Sequence, residues 1–140
     1  MFKELIWVKK HSLTKTFCDS VIQKFENEPR KAAGVIGSDC PRVDKSIKDT
    51  TDITITNISG WEEEDQTFFK ALSEGLKEYQ EYLQTIHHHC VPNPNYTMKD
   101  AGYKLQKYEP DGFYNWHNDW CINEIRGSRV FVFMWYLNTI

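Results

Sequence analysis

The run RVFVFMWYL, Arg129 to Leu137, is apolar at nearly every position, and it constrains the fold more than any other segment. Aromatic and β-branched residues in succession suit an extended chain, and a strand that is apolar on both sides must be covered on both faces. The segment therefore predicts a central strand with a layer of structure on either side. Left with an open neighbouring edge, such a strand would be an aggregation hazard.

Covering layers can be read upstream. Ser12 or Thr14 is placed to cap a helix in which Leu13, Phe17, Cys18, Val21, Ile22 and Phe25 share one stripe, and Pro29 marks its end. A second helix is predicted from the acidic run Glu62 to Asp65, which suits a first turn, to about Ile86. Its Phe68, Phe69, Leu72, Leu76, Tyr79, Leu83 and Ile86 recur at three- and four-residue intervals. Period-two alternation over Asp52 to Ile58 and the segment Tyr103 to Tyr108 read as strands, as does the short run Leu5 to Val8. Arg30 to Thr51 reads as a polar loop or flap around Val35-Ile36. Helices first and strands second predict an α+β fold, N-terminal helices packed on an antiparallel sheet, in a single domain over residues 1–140.

The net charge of −3 argues against a protein that neutralises phosphates, so nucleic acid is not an expected partner. The apolar run near the N-terminus is too short for a signal segment or a membrane span, and a cytoplasmic protein without membrane attachment is expected. Cys18, Cys40, Cys90 and Cys121 are widely spaced with no C-x-x-C pair and read as free buried thiols.

Chemistry concentrates in YEPDGFYNWHNDW, Tyr108 to Trp120. On an extended segment His117 and Asp119, two residues apart, point to the same side. One neutral nitrogen and one anionic oxygen are then offered to a common ion, two thirds of the 2-His-1-carboxylate set that leaves coordination positions open on Fe(II). His87, His88 and His89 read as a polar helix end that suits the helix dipole. Phe113, Tyr114, Trp116 and Trp120 read as packing residues ahead of substrate contacts, and Arg126 and Arg129 as solvated loop charges ahead of carboxylate grips.

The residues Leu105-Gln106-Lys107-Tyr108, Pro110, Gly112, Tyr114, His117-x-Asp119 and Val130 to Asn138 together resemble the first half of the catalytic core of Fe(II)- and 2-oxoglutarate-dependent oxygenases, in the prolyl 4-hydroxylase-like branch. SLTKTFCDSVIQKFE and KSIKDTTDITI are similar to that branch's opening helix and preceding strand. The resemblance implies an incomplete double-stranded β-helix, or jelly roll, with His117 and Asp119 as the first two iron ligands. It implies Tyr136 reaching the distal carboxylate of 2-oxoglutarate, Tyr108 lining the cosubstrate or substrate side, and hydroxylation of a peptidyl proline or small molecule. The family's second histidine and its carboxylate-gripping basic residue fall beyond Ile140, so the chain is expected to be the N-terminal portion of such a domain. A reading of another class is a non-catalytic binding or assembly module that pairs an open sheet edge with a partner chain.

Overall fold

The computed structural model describes residues 5–37, 40–86, 92, 98–119, 122–123 and 127–139. Helix α1 spans Lys15–Glu26, and Thr14 is its N-cap, extended in backbone (φ −73°, ψ 149°) with its hydroxyl accepting from Phe17 N at 3.2 Å. Cys18, Val21 and Phe25 on the expected stripe are buried. Helix α2 spans Glu62–Ile86, with four acids in its first turn and with Phe68, Ala71, Leu72 and Leu83 buried. Phe69 falls outside that face and is 54% exposed. Gly60, at φ +89°, turns the chain into α2 through the left-handed region that glycine enters without steric cost.

The described residues hold seven short strands, in chain order β1 Ala32–Ala33, β2 Lys48–Asp49, β3 Thr51–Thr54, β4 Lys104–Lys107, β5 Phe113–Tyr114, β6 Ile122–Asn123 and β7 Gly127–Ser128. All pairings among them are antiparallel, in the orders β1-β3-β4, β2-β5 and β6-β7. Two helices with small antiparallel sheets make a mixed fold of the expected kind, and the described strands do not close a barrel. In the largest sheet Ile53 stands opposite Leu105 and Asp52 opposite both Gln106 and Ala32. Side chains alternate across a strand, so this register sends Ile53 and Leu105 to the helices and Asp52 and Gln106 to the opposite face.

The core joins α1 to α2 through Val21, Phe25, Ile53, Ile55, Trp61, Phe68, Leu72, Tyr103 and Leu105. Phe68 sits at its centre, its ring 5.4 Å from Phe17, 5.7 Å from Tyr103 and 5.2 Å from Trp135. Trp61 is fully buried, and its indole N–H donates to Glu28 Oε2 at 2.7 Å. Glu28 also accepts from Arg30 Nε at 2.6 Å and Nη2 at 2.8 Å, so a carboxylate with a side chain only 5% exposed keeps its partners.

Three expectations are corrected. Residues 129–137 join no ladder among the described residues. Part of the segment lies on the core: Trp135 and Leu137 pack against it and Phe131 meets Tyr79 edge-on at 5.5 Å, while Val130, Val132, Phe133, Met134 and Tyr136 are 41–73% exposed. Without a covering layer, an all-apolar run leaves most of its side chains at the surface, Phe133 on the inward parity included. Residues 5–8 form no strand; Leu5 is in a 3₁₀ turn, Ile6 and Val8 are exposed, and Trp7 stacks on Tyr79 of α2 at 6.1 Å. The polar stretch Arg30 to Thr51 is more than loop, since β1, β2 and an isolated bridge between Ile36 and Arg42 lie within it. Among the cysteines Cys18 is buried, with burial and then Asp19 pushing its thiol pKa up. Cys40 is exposed, and Cys90 and Cys121 lie outside the described residues. No helix among the described residues is long and apolar enough to cross a membrane.

Phe68→Ala is expected to lower unfolding free energy by about 3–5 kcal/mol, read from urea denaturation. Hydrogen bonds from Arg30 and then Trp61 hold the Glu28 carboxyl down to about 2 from an ordinary 4.5. A depressed folded-state pKa contributes stability that is complete above 4.5 and lost as pH falls toward 2. Glu28→Gln should flatten the stability profile across that window in acid titrations of the unfolding midpoint.

Candidate functional site

The His-x-Asp loop is launched by the short ladder between β2 and β5. Lys48 stands opposite Tyr114 and Asp49 opposite Phe113. The register continues one residue further, where Asn115 N donates to Ile47 O at 2.9 Å and Asn115 Nδ2 to Ser46 O at 3.3 Å. A turn closed by Gly112 N donating to Glu109 O at 2.7 Å brings the chain from β4 into β5. Gly112 is needed in that turn because a Cβ there would lie 2.9 Å from Asp49 O and Glu109 N.

His117 is held from two directions. Its Nδ1 lies 2.8 Å from the carbonyl oxygen of Asn115, and its ring stacks on Tyr114 with centroids 3.7 Å apart and planes 18° apart. A carbonyl only accepts, so Nδ1 carries the proton and Nε2 is the bare nitrogen of the neutral ring. That nitrogen faces Asp119 Oδ1 at 3.5 Å. Two acceptors aimed at each other call for positive charge between them, either a proton on Nε2 or a metal cation. Ligand distances near 2.1 Å and a separation of 3.5 Å correspond to an angle of roughly 110° at a shared ion. A right-angled bite needs the pair to close by only about 0.5 Å. Both side chains are partly exposed, 36% and 48%, and have room for that adjustment.

The donor set fits a first-row divalent ion: one imidazole with its far nitrogen anchored to a carbonyl, and one carboxylate. Among the described residues no third His, Cys, Asp or Glu joins them. His87, His88, His89, Trp120 and Arg126 lie outside the described residues. A cleft of about 300 Å³ opens beside Asp119, walled by Asn118, Arg129, Val130, Phe131 and Val132. Arg129 is more than a free loop charge: its Nη1 donates to the Asp119 backbone carbonyl at 3.3 Å.

Tyr108 and Tyr136 do not wall that cleft. Tyr136 is 67% exposed and Tyr108 47%. They share a neighbourhood nonetheless, since partial burial and then Asp52, Tyr114 and Tyr136 push the Tyr108 phenol above its ordinary pKa. Its hydroxyl stays protonated at neutral pH and can donate a hydrogen bond. Trp116, expected as a packing residue, is fully exposed, and Phe113 is 39% exposed.

Neighbours that sequence reasoning missed lie on the sheet face turned from the helices. Lys48, only 2% exposed, pairs with Asp52 at 2.6 Å, and Gln106 Nε2 donates to the same Asp52 oxygen at 3.2 Å. No period of two marked them in the sequence, because Asp49 and Thr51 between them are polar as well.

The neutral His117 ring is expected as the Nδ1–H tautomer, visible in long-range ¹H–¹⁵N spectra of the metal-free protein; a proton on Nε2 instead would contradict the bond to Asn115.

No family model matches the chain, and no match is found among curated proteins or solved structures.

Proposed function

We propose that this chain carries the iron site of an Fe(II)- and 2-oxoglutarate-dependent oxygenase, a hydroxylase of a peptidyl proline or small molecule. The observation that supports it is the meeting of His117 Nε2 and Asp119 Oδ1 at 3.5 Å, with His117 Nδ1 committed to a backbone carbonyl. On this reading the strands belong to a double-stranded β-helix, and the helices cover one of its outer faces. His117 and Asp119 hold Fe(II), the hydroxyl of Tyr136 donates to 2-oxoglutarate, and Tyr108 lines the cosubstrate or substrate side. The bound iron supplies activation of dioxygen: one oxygen atom goes to a substrate C–H bond, and the other to 2-oxoglutarate, which leaves as succinate and carbon dioxide. The chain's own residues orient the ligands. Asn115 fixes the imidazole tautomer, Tyr114 fixes the ring plane, and Arg129 restrains the backbone of Asp119.

Co(II) is a spectroscopic stand-in for Fe(II). The protein is expected to develop visible d–d absorption on Co(II) titration, altered by added 2-oxoglutarate, and His117→Ala or Asp119→Ala should abolish it. Succinate release with Fe(II), 2-oxoglutarate and oxygen should be lost in the same variants. Undiminished metal uptake by both variants would remove the pair from the site.

A second reading has its own observation. Val130, Val132, Met134 and Tyr136 are exposed along a segment that has no ladder partner among the described residues, the arrangement a binding module offers to an added strand. It predicts self-association or complex formation in light scattering, lost in Val132→Lys/Met134→Lys. A stable, soluble monomer without a partner counts against it.

A further inference from the structure

Lys48 has an unusual setting for an ammonium group. It is 2% exposed, its Nζ lies 2.6 Å from Asp52 Oδ2, and the same atom stands 5.0 Å from the centroid of the Tyr114 ring. Burying a charge is costly unless its partners are well placed, and here the partners are incomplete. Asp52 Oδ1 and Thr50 Oγ1 are buried without a hydrogen-bond partner among the described residues. The backbone is shaped to admit the lysine. A Cβ on Gly34 would lie 2.1 Å from Thr50 Oγ1 and 2.8 Å from Lys48 Cε, so only glycine allows the side chain to lie where it does.

The ring over which Lys48 sits is the ring on which His117 stacks at 3.7 Å. Lys48 and Tyr114 are also directly opposed in the β2–β5 ladder. Both restraints on the imidazole thus trace back to one strand and its flank: the Asn115 carbonyl through the hydrogen bonds of Asn115 to Ile47 and Ser46, and the Tyr114 ring through Lys48. A cation at the face of an aromatic ring is attracted by its quadrupole, more strongly when both are out of water. The attraction limits rotation of Tyr114 and, through the stack, of His117.

We propose that Lys48 is a positioning residue for the His117–Asp119 pair, acting through the ring of Tyr114. The inference rests on the metal-site reading above. Lys48 touches neither ligand; it holds the surface against which the imidazole is set. Groups outside the ligand set that orient a metal-binding histidine commonly change metal affinity by about 10- to 100-fold.

The test uses the full chain and two readouts: Co(II) affinity from the visible spectrum, and the upfield ring-current shift of the His117 Hε1 proton in the metal-free protein. Lys48→Met combined with Asp52→Asn removes the cation without leaving a lone buried carboxylate. It is expected to weaken Co(II) binding about tenfold and to move the Hε1 resonance toward its unstacked position. Tyr114→Leu, which keeps the Lys48–Asp52 pair, should do the same, and Lys48→Arg, which keeps a cation over the ring, should retain both properties. Unchanged Co(II) affinity and an unchanged ring shift in the double variant overturn the proposal. If the wild-type protein takes up no Co(II), the metal-site reading fails, and the ring shift decides the Lys48 link alone: lost in the double variant it supports the link, retained it overturns it.

Discussion

The pairing of β3 with β4 decides which side of the sheet is dry. Four residue pairs set its register, and with Ile53 opposite Leu105 the apolar side chains of both strands meet α1 and α2. A slip of one residue would present Asp52 and Gln106 to Phe68 and Trp61 and turn the isoleucines outward. The opposite face carries Lys48, Asp52, Gln106 and Tyr108 because the same alternation leaves them nowhere else to point. The site is therefore a consequence of the core: the residues that need water or a partner gather where the helices are not.

Buried polar groups are treated in two ways in this molecule. At Glu28 every strong acceptor is answered, by Trp61 on one side and Arg30 on the other, and the result is a tight corner joining the end of α1 to the start of α2. At Asp52 one oxygen is paired twice and the other is left alone among the described residues. Fully answered networks rigidify, and partly answered ones leave a desolvation cost unrepaid. Their places agree with that division. The answered corner lies among the helices, and the unanswered one lies on the face from which β5 leads to His117 and Asp119.

Much of the scaffold was legible in the letters. Thr14, the α1 stripe and the acidic opening of α2 each write a local rule that depends on neighbours three or four residues away, and helices obey such rules before any tertiary contact forms. Ile53 announced its strand by alternation with Thr54. Trp61 at the core was missed because a single aromatic beside a glycine carries no period. The short strands β1 and β5 were missed because two residues cannot display one; β2 lay inside the strand-like stretch KSIKDTTDITI, but its pairing was not legible because Lys48 and Tyr114 stand 66 positions apart.

The same distinction applies to the site. Sequence by itself determined that an imidazole and a carboxylate stand two residues apart after a tight turn, with aromatic residues on both sides. Only the tertiary structure decided that the histidine's Nδ1 is tied to Asn115, that Tyr114 lies flat against its ring, and that a lysine from another strand stands over that tyrosine. It also decided that the apolar run at 129–137 rests on the core only in part. Spacing along a chain fixes what can meet locally, whereas burial, ring stacking and charge pairing depend on which distant strands the core has brought alongside.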